Sequence, residues 1–276
     1  MRACVAIFLV AVLLAVGCHG LPKPLPNAQA TLPAAHELRV GQLIIRSDFD
    51  AARVSRLTSQ LETERDDICQ TLGLPGSDEP IVVYLFGDAE RYRTYLERHF
   101  PNVPNRRAFF LESDMQLAVY AHASDRVAED LRHEVAHGYL HSMVNGLPLW
   151  LDEGLAEYFE VPRGQNGLNT PHLELLSELA EHNNWRPDLR RLEGLTDAAQ
   201  MQQSDYAEAW AWVYLFLNSP PERRQVMTKY IADLRETGTR EPLSLRLVKD
   251  ETKAEQVLSD YLATLQKTAA ADTIKR

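Results

Sequence analysis

The sequence predicts an α+β fold, in which a β-rich N-terminal lobe precedes a mostly helical C-terminal lobe and a histidine-rich helix lies between them. Three observations predict this arrangement. The strand-like apolar runs lie before about residue 124, whereas from residue 125 onward apolar residues recur mainly at helical spacing. Between the two parts, residues 131–141 read LRHEVAHGYLH and carry three histidines at intervals of four residues.

The β-rich lobe is predicted from alternating strand and helix patterns. Its elements are a strand pair, or one bent strand, around Gly41 at residues 37–49, a helix at 51–72, a buried strand at 80–86, a helix at 89–99, and two strands at 107–111 and 115–121. The helical lobe follows the histidine-rich helix. Its helices are predicted at residues 148–159, 172–181, 206–217, 221–235 and 252–267, with a frayed tail at 269–276.

Composition restricts the function. The chain has 276 residues, enough for one large domain, which we place at residues 36–268 with lobes at 36–124 and 125–268. The formal net charge of −10 argues against a nucleic-acid partner, because phosphate binding needs basic surfaces. Three scattered cysteines are too few for a disulfide framework.

The N-terminus predicts export. Residues 1–18 read as a signal peptide with an apolar run that is too short to span a bilayer, and small residues precede Cys18 as in a bacterial lipobox. Lipidation of Cys18 would anchor the protein to a bacterial membrane, facing the periplasm or the exterior; the alternative is ordinary secretion. The Pro-rich residues 19–35 read as an extended tether.

The pentapeptide HEVAH at residues 133–137 follows the pattern HExxH. Residues four apart on an α-helix lie on one face, about 6 Å apart along the axis, so His133 and His137 can reach the same zinc ion. Glu134 can hold a water at the metal without being a ligand, which is what a general base for carbonyl hydrolysis must do. The alternative is a surface helix with two chance histidines, but an apolar stripe beginning after the expected N-cap Asp125 favours a helix packed on a core.

A zinc hydrolase usually has a third protein ligand and leaves the fourth position to water. His141 fails on geometry, because it lies about 12 Å from His133 along the helix axis. The adjacent acids Asp152 and Glu153, in the helix after the Asn-Gly turn, are costly to bury without a metal or histidine partner. The dipole at a helix N-terminus is an alternative explanation that suits Asp152. If Glu153 binds the metal, Glu157 lies one turn further on, where it can accept a hydrogen bond from a ligand histidine's outer nitrogen.

The segment HEVAH, followed by WLDEGLAEYF at residues 150–159, resembles the gluzincin metallopeptidases, the group of thermolysin and the aminopeptidase N-like enzymes. The resemblance implies a zincin-like fold and one Zn²⁺ per chain held by His133, His137 and Glu153. It also implies Glu134 as the general base and Glu157 as the acid behind a ligand histidine. Fifteen residues lie between His137 and Glu153, a shorter link than in aminopeptidase N-like enzymes, and the Gly-x-Met-Glu-Asn segment of those enzymes is missing. The chain is closer to the small peptidase-MA-like domains.

Gluzincins place a Tyr or His where it can donate to the tetrahedral oxyanion. Tyr206 is the candidate here, with packing as its alternative role; His172 and Tyr158 are weaker candidates. The strand at residues 115–121 is expected to offer backbone groups to an extended peptide substrate, as the edge strand does in this family.

Two functions of different class remain open. The first is an exported zinc metallopeptidase that hydrolyses peptides or proteins through a zinc-activated water, with Glu134 as the base. The second is a non-catalytic lipoprotein that uses a peptidase-like fold for binding or assembly. The intact Glu134 favours the first, because a metal-binding scaffold has no need of that carboxylate. A nucleophilic hydrolase is weakly supported, since there is no Gly-x-Ser-x-Gly elbow.

Overall fold

A computed structural model describes residues 31–50, 55–101, 106–182, 184–238, 241–250 and 254–274. Residues 1–18, with Cys18, and most of the tether lie outside these ranges. The strands are β1 His36–Val40, β2 Leu43–Ser47, β3 Ile81–Phe86, β4 Ala108–Ser113 and β5 Gln116–His122. The helices are α1 Ser55–Leu72, α2 Ala89–His99, α3 Val127–Met143, α4 Leu149–Phe159, α5 Thr170–Glu181, α6 Leu189–Glu193, α7 Gln203–Asn218, α8 Pro221–Thr237, α9 Leu243–Asp250 and α10 Ala254–Ile274. The α+β prediction is therefore confirmed.

The five strands form one sheet in the order β1-β2-β3-β5-β4. The three inner strands are parallel, and the outer strands β1 and β4 are antiparallel to their neighbours. The expectation that residues 115–121 form an edge strand is wrong, because β5 pairs with β3 on one side and with β4 on the other. The hairpin at Ser113–Gln116 instead folds β4 onto the outside, so β4 is the edge strand on this side of the sheet.

Both faces of the sheet are buried, which explains why every residue of β3 is apolar or aromatic and buried. Ile81, Val83 and Leu85 join the main core under α1 and α3, whereas the alternate residues of β3 join an aromatic cluster on the other face. In that cluster Tyr120 stacks on Phe109 at a centroid distance of 4.8 Å. The sheet is thus a rigid platform for α3.

Helix α3 is the layer between the sheet and the later helices. It contacts β4 and β5 on one side and α4 on the other, and Val135, Ala136 and Leu140 are fully buried. The helix begins after Arg126, whose side chain makes no capping hydrogen bond, so the prediction of Asp125 as N-cap is wrong. The first turn is instead acidic, with Glu129 and Asp130, and negative charge is favourable at a helix N-terminus.

Helices α4 and α7 pack closely at Gly154. A Cβ at this position would lie 2.5 Å from the carbonyl oxygen of Ala209 and 3.0 Å from Cγ2 of Val213. A glycine is required there because any side chain would meet the backbone of α7. This contact fixes the residue directly after the predicted ligand Glu153.

The structure adds elements that the sequence pattern did not predict. These are α6, α9 and a short 3₁₀ helix at Ala198–Gln200. The expected fraying from residue 269 also differs from the structure, because α10 continues to Ile274. None of the helices among the described residues is long and apolar enough to cross a membrane.

Candidate metal centre

Helices α3 and α4 bring His133, His137 and Glu153 to one point. The two imidazole Nε2 atoms are 3.2 Å apart, and Oε2 of Glu153 lies 3.5 Å from Nε2 of His133 and 3.6 Å from Nε2 of His137. The short link between the helices turns at Gly146, whose φ of +71° is in the left-handed region. These three groups could together hold a metal ion.

The donor set fits a bound cation. Oε2 of Glu153 is buried and makes no hydrogen bond within the described part of the chain, although it faces two imidazole nitrogens. A buried carboxylate oxygen without a hydrogen bond is costly. Two Nε2 atoms that point at each other can share one proton at most, so a cation between them and the carboxylate satisfies all three groups better than protons do.

The outer nitrogen of each histidine has an acidic partner. His133 donates from Nδ1 to Oε2 of Glu160 over 3.0 Å, and His137 donates from Nδ1 to Oδ1 of Asp152 over 2.9 Å. These contacts fix both rings with Nε2 facing inward and make the imidazoles better ligands. Of the two roles that the sequence left open for Asp152, the structure thus shows the histidine partner, and the helix dipole alone does not explain its position.

His141 extends this hydrogen-bonded series to the surface. Its Nε2 donates to the other oxygen of Asp152 over 2.9 Å, and its Nδ1 donates to Glu112 at the end of β4 over 2.6 Å. With carboxylate acceptors on both sides, both ring nitrogens carry protons. Burial lowers the pKa of His141, but Asp152 and Glu112 outweigh it and raise the pKa. His141 does not belong to the group of His133, His137 and Glu153, but it supports that group through Asp152 and forms with His137 and Asp152 a second group that could hold a metal ion.

The contacts of Glu157 differ from the prediction. Its Oε2 accepts hydrogen bonds from Nε2 of His172 over 2.7 Å and from Nδ2 of Asn169 over 3.3 Å, rather than from a ligand histidine. The reason is its direction on α4: Glu157 faces α5, while Glu160 at the C-cap reaches His133. Glu157 and Glu160 remain close to His133, within 4.8 Å between potential ligand atoms.

The charges in this centre shift each other's pKa values. Burial raises the pKa of Glu153, but the two imidazoles outweigh it and lower the pKa to about 2. Burial lowers the pKa of His137, but Asp152 and Glu153 outweigh it and raise the pKa to about 10. The pKa of His133 is raised for the same reason, by Glu153 and Glu160 acting against burial. The surroundings therefore favour positive charge at the point where the Nε2 atoms meet.

Glu134 lies beside the cluster and lines a cleft of about 780 Å³. No hydrogen bond or ion pair engages its carboxylate within the described residues, and only 8% of the residue is exposed. Burial raises the pKa of Glu134, and the nearby imidazoles only partly offset this. A raised pKa makes this carboxylate a better proton acceptor than an ordinary glutamate, and its access to the cleft lets it exchange a proton with a bound molecule.

Tyr206 lies near the cluster, at the start of α7. Its hydroxyl accepts a hydrogen bond from Nη2 of Arg106 over 3.2 Å, and burial and then the charge of Glu153 raise its pKa. The two weaker candidates have other partners. Tyr158 accepts a hydrogen bond from Asn218, and His172 is held by Glu157.

Sequence reasoning missed two contributors, namely Glu160 and Arg106. Glu160 had a detectable signal, because it lies seven residues after Glu153 and thus near the same side of the helix. Asp152 was identified together with Glu153 as an acid whose burial needs a metal or histidine partner, but the histidines that it contacts were not predicted. Arg106 had no detectable signal, since it precedes an apolar strand far from the motif in sequence.

Comparison with known proteins gives little functional information. Residues 127–244 match the model of a family described as a protein of unknown function, DUF1570. No curated protein matches the chain. The matched range begins at the first residue of α3 and includes His133, Glu134, His137, Glu153 and Tyr206, whereas the sheet and Arg106 lie before it.

Proposed function

We propose that the chain is a zinc-dependent metallopeptidase of the gluzincin type, with His133, His137 and Glu153 as the metal ligands and Glu134 as the general base. The observation that carries the proposal is the convergence of three inward donor atoms, one of them an unsatisfied buried carboxylate oxygen, beside a free glutamate in a cleft. Two imidazoles and a carboxylate with a fourth position open are a ligand set typical of catalytic zinc.

The donor separations support zinc among the possible metals. Four tetrahedral ligands at about 2.0–2.1 Å from zinc lie about 3.3 Å from one another. The observed separations of 3.2, 3.5 and 3.6 Å are close to this value. Zinc held there would act as a Lewis acid, polarising a carbonyl and lowering the pKa of a water molecule.

The protein's own groups perform the proton transfers. Glu134 takes a proton from the attacking water and passes it to the leaving amine, so one carboxylate acts first as base and then as acid. The Tyr206 hydroxyl donates to the oxyanion that forms on the scissile carbonyl. Its hydrogen bond from Arg106 polarises the hydroxyl and makes it a better donor.

An extended peptide is the substrate that suits the surroundings. Strand β4 is at the edge of the sheet and packs on α3 beside the cluster; Phe110 in β4 lies 6.0 Å from the ring of His137. An edge strand presents unpaired N–H and C=O groups to which a peptide can add as a further strand. Peptide or protein is therefore the proposed partner, and nucleic acid is not.

Export and lipidation at Cys18 are part of the proposal. They are supported by the apolar run before Cys18 and by the Pro-rich segment after it. Expression of the full chain and of Cys18→Ser in a bacterial host, followed by membrane fractionation, tests the anchor. The wild type should be found in the membrane fraction and Cys18→Ser in the soluble fraction; equal distribution would contradict lipidation.

The substitution Glu134→Gln tests the catalytic assignment. It should retain about one zinc per chain and the wild-type melting temperature while peptide hydrolysis falls by at least about a hundredfold, the scale of general-base catalysis. Glu129→Gln is the matched control, since Glu129 lies on the same helix, pairs with Arg126 and does not belong to the cluster.

Zinc binding is measured in parallel on Glu153→Ala. Loss of zinc there, with hydrolysis retained by Glu129→Gln, would fit the proposal. A zinc-loaded wild type without hydrolytic activity would favour the non-catalytic lipoprotein instead.

A further inference from the structure

The arginines that line the cleft differ in their partners. Arg107 makes a bidentate ion pair with Asp130, with contacts of 2.6–3.0 Å, and Arg126 pairs with Glu129 at 2.5 Å. Arg132 donates to the backbone carbonyl of Glu160. Among the described residues, Arg106 and Arg132 therefore line the cleft without a carboxylate partner.

Arg106 is the more accessible of these two guanidinium groups. The residue is exposed, whereas Arg132 is half-buried. Its hydrogen bond in the described structure goes to the neutral hydroxyl of Tyr206, which leaves most of its five N–H donors free. Arg106 and Glu134 also line the same cleft. A cation with free donors thus lies in the cleft that contains the predicted base.

The direction of β4 defines which part of a substrate would reach Arg106. Arg106 lies two residues before the first residue of β4. Along the strand, Arg107 contacts Asp130, Phe110 contacts His137, and Glu112 contacts His141, so β4 and α3 run in the same direction.

A peptide that adds to the β4 edge in the antiparallel sense, which is slightly the more stable pairing, runs against this direction. Its C-terminal part then passes the N-terminal end of β4. The guanidinium of Arg106 is at that end.

Resting on the proposed peptidase function, we propose that Arg106 binds a substrate carboxylate on the C-terminal side of the scissile bond. The carboxylate is either the free C-terminus of a short peptide or an acidic side chain. A planar guanidinium with free donors can form two parallel hydrogen bonds to one carboxylate, which a lysine at the same position cannot do. Asp152, Glu157 and Glu160 are engaged with histidines, and no carboxylate among the described residues forms an ion pair with Arg106, so this cation is available to a ligand.

The test compares three forms of one peptide on zinc-loaded full-length protein. A tryptic peptide mixture digested by the wild type and read by mass spectrometry first supplies a cleaved sequence. That sequence is then synthesised with a free C-terminal carboxylate, with a C-terminal amide, and as an amide with glutamate directly after the scissile bond. The free acid and the glutamate form distinguish the two sources of the carboxylate.

We expect kcat/KM of the wild type to be about ten- to a hundredfold higher for one of the two carboxylate peptides than for the neutral amide, as a charge-assisted hydrogen bond allows. In Arg106→Gln this ratio should fall to about one, and in Arg106→Lys to an intermediate value. Arg39→Gln is the control, because Arg39 lies on β1 at the opposite edge of the sheet and should keep the wild-type ratio. Melting curves and zinc content show whether each variant is folded.

Three other outcomes would contradict the proposal. Equal kcat/KM values for all three peptides in the wild type would overturn the role of Arg106 while leaving the peptidase intact. An equal loss on all three peptides in Arg106→Gln, with the ratio between them unchanged, would also overturn it, because the guanidinium would then act only through the Tyr206 hydroxyl. Absence of any cleavage by the zinc-loaded wild type would overturn the proposed function and this inference with it.

Discussion

Gly154→Ala is expected to disturb the metal centre through the backbone of α7. The added Cβ would lie 2.5 Å from the carbonyl oxygen of Ala209, so α4 and α7 must separate by about 0.9 Å to reach the 3.4 Å of ordinary contact. Overpacking of this kind costs about 1–3 kcal/mol, and a clash with a backbone carbonyl, which cannot rotate away, belongs to the upper half of this range, about 2–3 kcal/mol. Alanine recovers nearly 1 kcal/mol through its helix propensity. We expect a net loss of about 1–2 kcal/mol, or about 2–8 °C in melting temperature.

The displacement should also weaken metal binding. Glu153 precedes the substituted residue, and metal–ligand distances tolerate changes of only about 0.2 Å. We expect zinc affinity to fall by about 10- to 100-fold, the range seen when the orientation of a ligand is disturbed. The assay is competition between the protein and a chelator of known affinity, with thermal melting of the metal-free protein measured in parallel.

Gly138→Ala is the matched control for this prediction. Gly138 also directly follows a predicted ligand, His137, within a helix. Its added Cβ would meet only side-chain atoms of Ile81, at 3.0 and 3.1 Å, and these can shift more easily than a carbonyl group. Zinc affinity and stability should therefore change much less than in Gly154→Ala. Wild-type affinity and stability in Gly154→Ala, or equal losses in both variants, would refute the reasoning from backbone contact.

Three further predictions follow from the same structure. Asp152→Asn should weaken zinc binding about 10- to 100-fold in chelator competition, because His137 and His141 lose the charge of their shared acceptor; unchanged affinity would contradict this. Tyr206→Phe should retain zinc while kcat falls about 10²- to 10³-fold, the effect of removing one oxyanion donor, and a fall below threefold would exclude that role. Burial raises the pKa of Glu64, whose oxygens have no hydrogen bond to any described residue, well above 4.5. The penalty of Glu64 on stability is absent below pH 4.5 and grows as pH rises toward the folded pKa. Glu64→Gln should therefore have a higher melting temperature than the wild type at pH 8 and the same melting temperature at pH 4.5. A higher melting temperature at both pH values would refute this.

The sequence predicted those parts of the fold that depend on local periodicity. The buried run of β3 and the helix α2 are found almost as expected, because their patterns repeat over whole elements. The short helix α6 was missed, since five residues hold too little periodicity to be recognised. The assignment of β5 as the edge strand failed because strand order depends on pairing across the sheet, which no local pattern records.

The candidate metal centre was likewise predicted where it depends on local spacing and was not predicted where it depends on tertiary packing. The spacing of four residues between His133 and His137 is a helical property, and their Nε2 atoms do meet. The partners of their outer nitrogens were misassigned because they depend on how α4 is rotated against α3. That rotation is fixed by the contact of α4 with α7, more than fifty residues later in the chain. The approach of Arg106 likewise depends on tertiary packing alone.

The three donors of the metal centre all lie between residues 133 and 153, on two helices joined by a short turn. Closing so short a stretch of chain costs little entropy, and contacts between near neighbours in sequence form quickly during folding. Arg106 and Tyr206 must come from distant parts of the chain and depend on the complete sheet and on α7. The α3–α4 pair thus brings the donor residues together locally, whereas their exact orientation depends on α7 and the surrounding reaction geometry depends on the whole fold. If the proposed site is correct, a damaged or truncated protein would still bind metal with lower affinity after that geometry is lost, so metal content alone would be a poor measure of the intact native state.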